Sequence, residues 1–142
     1  MDMCTCHRRS FLLAGLVLAG AARAPALGAS EEAFVAAAFR MRDEAVARGD
    51  QPYGAVLVQA GEIVGYGPSR VVADRDPDAH AERVALRDAQ RRLGASAIRD
   101  AVLFSSSRPC AACETALAEA GVARMVFGRA ATDAGRPMRR GG

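Results

Sequence analysis

The sequence predicts an α/β protein whose elements run αββαβαβ around a mixed sheet of about four strands, and three patterns carry that prediction. A helical apolar period begins after Ser30, two short β-rich runs meet at a two-residue turn, and two further apolar runs are separated by a helical stretch too long for a hairpin.

Ser30 is a good N-cap, Glu31 and Glu32 suit a first turn, and Phe34, Ala38, Met41 and Ala45 recur at helical spacing until Gly49. Residues 54–59 and 62–67 read as strands joined at Ala60-Gly61. Asp76-Pro77 reads as N-cap and first position of a second helix running to Leu93, with Gly94 beyond its end. Residues 101–105 form a third, buried strand; Pro109 opens a third helix that stops at Gly121; residues 123–127 form a fourth strand. The helix between the last two strands makes them parallel, joined by a right-handed crossover. From Arg129 onward no apolar period remains, so residues 129–142 read as a C-terminal tail.

A length of 142 residues allows one domain, and a 51% hydrophobic content without Trp fits a compact chain. All 19 basic side chains are Arg, which excludes Schiff-base lysines, a P-loop lysine and lysine general bases. The formal charge of +3 is concentrated at the ends. Residues 30–135 hold 13 Arg against 15 Asp plus Glu, a net of −2, so the basic face of a tight nucleic-acid binder is not expected.

The first 29 residues read as a leader. Arg8-Arg9 directly precedes an apolar run from Phe11 to Ala22, followed by small residues to Ala29, and the segment resembles a twin-arginine export signal. The run is shorter than the roughly 20 residues that span a bilayer, so no stable membrane span is expected after cleavage. Both 24–26 and 26–28 fit a cleavage site. The expected location is the periplasm or the exterior. Cys4, Cys6 and His7 lie in the leader and read as incidental to it.

After Ser30 the chain holds one histidine and two cysteines, His80, Cys110 and Cys113, with Glu82 two residues after the imidazole. Structural zinc sites are closed by four protein ligands, whereas catalytic ones keep three and an open position. The two cysteines, three apart at a helix start, share a face and sit near exposed N–H groups that favour thiolates. His80 and Glu82 do not share a face of a long helix. A metal lying off the helix's N-terminal end could nonetheless meet the imidazole while the carboxylate reaches across to a water. The bland alternatives are a buried or redox-active cysteine pair, a structural histidine and a solvated glutamate.

His-x-Glu followed by Pro-Cys-x-x-Cys resembles the signature of the cytidine deaminase-like zinc deaminase superfamily. Residues 51–58 (Gln-Pro-Tyr-Gly-Ala-Val-Leu-Val), 76–82, Leu86-Arg87 and 126–128 extend the likeness, which looks nearest to bacterial guanine and cytosine deaminases and tRNA adenosine deaminases. The resemblance implies a three-layer α/β/α fold, a zinc deaminase domain over residues 30–128, zinc held by His80, Cys110 and Cys113, and Glu82 as the catalytic proton carrier. It also implies substrate contacts at Ala55 and Ala81, through their backbone groups, and at Ser69. The expected activity is hydrolytic deamination of a free nucleobase or nucleoside by a homodimer; the alternatives are tRNA adenosine deamination or a catalytically silent, zinc-stabilised domain.

Three features depart from the family pattern. Ser69 stands where such relatives place a base-contacting Asn, and a hydroxyl cannot reproduce an amide's paired donor and acceptor. Arg108 stands where Glu commonly precedes Pro-Cys, facing solvent, an acidic partner or the substrate. The C-terminus is expected to be shortened, leaving out a fifth strand.

Overall fold

A computed structural model describes residues 30–141, so the expected leader lies outside the described residues. The chain folds as α1 (Glu31–Ala47), β1 (Gly54–Gln59), β2 (Glu62–Pro68), α2 (Ala81–Leu93), a 3-10 turn (Ala95–Ile98), β3 (Val102–Ser105), α3 (Ala111–Ala120), β4 (Arg124–Phe127) and β5 (Thr132–Gly135). The sheet order is β2-β1-β3-β4-β5, with β3 and β4 parallel and every other pair antiparallel.

The two-residue alternation of the strands builds two cores. Val56, Val58, Phe104 and Val126 face α1, which contributes Phe34, Val35, Ala37 and Ala38, with the Phe34 and Phe104 rings 5.1 Å apart. Ala55, Leu57, Leu103 and Met125 face the other way, onto Ala81, Ala85, Leu86 and Ala89 of α2 and Leu117 of α3. The result is the expected three-layer α/β/α arrangement. Among the described residues, no helix is long and apolar enough to cross a membrane.

The turn Ala60-Gly61 is a hairpin with both residues in the left-handed region, φ 50° and 78°, which matches the twist of the strands it joins. Gly67 sets the depth of α2. A Cβ there would lie 2.1 Å from the Ala81 carbonyl oxygen and 2.6 Å from the Ala85 nitrogen, so the absence of a side chain lets the start of α2 rest on the sheet.

Two boundaries differ from the sequence reading. The second helix begins at Ala81 rather than after Asp76, because the Asp76 carboxylate accepts the Asp78 N–H at 2.8 Å and its carbonyl accepts Ala79 N–H, closing a local turn around Pro77. The third begins at Ala111, two residues after Pro109, with Cys110 as its N-cap. A larger correction concerns residues 129–142, expected as a tail without a fifth strand. Within them β5 adds to the open edge of β4, giving five strands. The strand lacks an apolar run because it is mostly exposed, and it is held by ladder hydrogen bonds and by Arg124, which bridges Asp133 at 3.2 Å and also pairs with Glu31.

Candidate metal centre

His80 and Cys110 are the N-caps of α2 and α3, both in extended conformation, so two helix N-termini meet at one point. His80 Nδ1 lies 3.6 Å from Cys110 Sγ and 3.4 Å from Cys113 Sγ, and the three ligand atoms all lie within 4.8 Å of one another. Tetrahedral zinc with Zn–S of about 2.3 Å and Zn–N of about 2.0–2.1 Å requires N···S edges of about 3.6 Å, so this donor set fits the ion and leaves a fourth position without a ligand among the described residues. The Cys113 N–H donates to Cys110 Sγ at 3.5 Å, one of the helix-end donors that stabilise sulfur charge.

Glu82 enters from the first turn of α2 with 5% of its surface exposed, and its Oε1 accepts the Ser105 hydroxyl at 2.9 Å. Ser105, itself 2% exposed, ends β3. Burial, then the Glu82 carboxylate and Cys110, push the Cys113 thiol well above the usual range. A divalent cation held by these donors would supply the opposite charge that lets thiols ionise. His80 and Glu82 reach one site because they are N-cap and second residue of the helix, not neighbours along its side.

A cavity of about 430 Å³ opens over these groups, lined by Gln51, Tyr53, His80, Glu82, Ser107, Arg108 and Cys110. A second hollow of about 510 Å³, between the outer surfaces of α2 and α3, holds Arg83, Arg87 and Arg99 but none of the donors. The sequence-expected contacts Ala55, Ser69 and Ala81 are all buried and do not line the 430 Å³ cavity. Ala55 lies inside central β1, paired with both neighbouring strands. The Ser69 hydroxyl donates to Asp50 Oδ1 at 2.9 Å and its N–H to the Tyr53 carbonyl, while Asp50 Oδ2 accepts the N–H groups of Val72 and Ala73. Ser69 thereby fastens the loop that carries Gln51 and Tyr53 to the chain leading to His80. Sequence reasoning singled out neither these two lining residues as contacts nor Ser105; a polar residue ending an otherwise apolar buried strand is the signal that marks Ser105.

The C-terminal segment braces α3 next to the cysteines. Buried Glu114 accepts the Met138 N–H at 3.2 Å and Arg140 Nε at 2.9 Å, and Arg140 N–H donates to Thr115 Oγ1. Burial alone would raise the Glu114 pKa, but Arg140 and the Met138 N–H outweigh it and hold the carboxyl below its usual range. A depressed folded-state pKa contributes stability above the unfolded value of about 4.3 and loses it as pH falls through the folded value. Arg140→Gln is therefore expected to cost about 1–2 kcal/mol at neutral pH, with the difference closing below about pH 4. Urea unfolding of both proteins across pH checks this, and a pH-independent difference would refute the assignment.

Residues 29–129 match the family model of the cytidine and deoxycytidylate deaminase zinc-binding region. The chain is 33% identical to a tRNA-specific adenosine deaminase of Aquifex aeolicus over 97 residues, covering 68% of this chain and 64% of that one. It is 36% identical over 106 residues to the guanine deaminase of Bacillus subtilis, covering 74% and 68%. It therefore spans about two thirds of the length of each. The solved structure of a tRNA:A34 deaminase superposes with a TM-score of 0.67 at 30% identity, covering 70% of this chain and 76% of that one.

Proposed function

The chain belongs to the cytidine and deoxycytidylate deaminase zinc-binding family, and on that premise we propose that it is a zinc-dependent hydrolytic deaminase of a free nucleobase or nucleoside. Water replaces the exocyclic amine of an amino-substituted heterocycle, and ammonia leaves. The observation that carries this reading is Glu82, a buried carboxylate lining the same cavity as two of the three donors. His80, Cys110 and Cys113 would hold the ion, as their spacing supports. When bound, zinc supplies Lewis acidity that lowers the pKa of water from 15.7 to about 7.

Glu82 then moves protons. It accepts one from the attacking water, passes it to the ring nitrogen, and delivers the next to the departing amine. Ser105 donates to Oε1, which orients the carboxylate. The cavity volume lies within the roughly 300–1,000 Å³ typical of small-molecule sites.

Deamination of tRNA adenosine is the second reading, favoured by the likeness to the Aquifex enzyme. The near-neutral charge of residues 30–141, 16 Arg against 15 Asp plus Glu, weighs against it, as does the proposed leader, whose likeness to an export signal would take the protein away from cytoplasmic tRNA. Ammonia release from cytosine, guanine, adenine, their nucleosides and an anticodon stem-loop RNA separates the readings. Release from a base or nucleoside that stops on chelation and returns with zinc is expected. Release from the RNA alone selects the second reading, and zinc-loaded protein with no release from any of them leaves a silent zinc-stabilised domain.

A further inference from the structure

Arg108 is the one guanidinium among the residues lining the cavity, and it has no ion-pair partner among the described residues. Arg140, which braces α3 beside the cysteines, is by contrast paired with Glu114. The carboxylate whose charge interacts with Arg108 is Glu114, but its oxygens are taken by the Met138 N–H and Arg140. The side chain is nonetheless placed. Its guanidinium carbon stands 5.8 Å from the centroid of the Phe127 ring, and the residue that follows it is the buried Pro109. Tyr53, a 43% exposed aromatic ring, lines the same cavity and offers a surface for a planar heterocycle.

We propose that Arg108 reads an anionic substituent on the substrate, so that the preferred substrate is an aminated heterocycle carrying a phosphate or a carboxylate. A neutral base gives this fork of donors only water, whereas an oxyanion accepts two parallel, charge-assisted hydrogen bonds. The inference rests on the deaminase reading for the heterocycle and on Arg108 alone for the charge.

The test compares pairs of compounds that differ in the anion: cytidine with cytidine 5′-monophosphate, guanosine with guanosine 5′-monophosphate, and cytosine with 5-carboxycytosine. Calorimetric affinities are measured on the full, zinc-loaded chain carrying Glu82→Gln, which needs no turnover, and kcat and KM on the otherwise unaltered protein. The anionic member is expected to bind about tenfold more tightly at low salt. That ratio should fall toward one in Arg108→Gln, return in part in Arg108→Lys, and shrink between about 0.05 and 0.5 M NaCl. The nucleotide and carboxylate arms report which anion is read. Equal affinities within every pair, no binding of any member, or a ratio that survives Arg108→Gln overturns the proposal. Ammonia release without an anion preference sinks this inference and spares the deaminase reading; an anion preference without ammonia release does the reverse.

Discussion

Glu82→Gln is expected to lower ammonia release by about 10²–10⁴-fold while zinc stays at one per chain. The size of the effect follows from what the substitution keeps. The glutamine side chain would retain the volume of the buried group and a carbonyl oxygen able to accept the Ser105 hydroxyl, so the start of α2 has no reason to shift and His80 keeps its place. What disappears is a group able to hold and release a proton between water, ring nitrogen and amine. Ser105→Ala, which frees the carboxylate without removing it, should cost less, on the order of tenfold. The measurement is kcat alongside zinc content and thermal melting of each variant. Turnover in Glu82→Gln within a few-fold of the unaltered protein would mean that another group carries the proton.

Much of this site is legible in the sequence because its chemistry depends on residue types that are scarce here. With one imidazole and two thiols after Ser30, there is little freedom in choosing the donors, and the structure brings all three within 4.8 Å. The strands are legible for the same reason that they are buried: Val56, Leu57, Leu103 and Val126 are apolar at both faces of a covered sheet. Where sequence and structure part, a local interaction outweighs the pattern. Asp76 has the look of a helix cap, yet its side chain closes a turn one step earlier, and that turn is what makes His80 the cap. Residues 132–135 carry no strand pattern because an exposed edge strand needs only its backbone ladder. Ser69 stands where the resemblance implies a base-contacting residue, and its hydroxyl donates to Asp50, a partner 19 residues away that no local pattern announces.

Chelation of zinc should reverse the sign of the protein's alkaline pH dependence, besides lowering its stability. Metal would hold together two helix ends whose donors otherwise make only sulfur–imidazole contacts of 3.6 and 3.4 Å, so removal is expected to cost several kcal/mol, about 10–20 °C in Tm for a domain of this size. In the chelated protein the Cys113 thiol has its pKa raised, by burial first and by Glu82 second. A raised folded-state value contributes stability below the unfolded pKa of about 8.5 and loses it as pH rises beyond, at about 1.4 kcal/mol per pH unit for one proton. In the zinc-loaded protein the same sulfur is a thiolate when folded and a thiol when unfolded, so stability climbs with pH up to about 8.5 and then levels. The absence of lysine helps the experiment, since above about pH 8 few groups other than cysteines, two tyrosines and the amino terminus change charge. Melting curves from about pH 6 to 10, with and without chelator, should therefore diverge in slope as well as in height. Parallel curves would mean that Cys113 does not ionise on binding metal, and a zinc-thiolate centre would have to be abandoned with it.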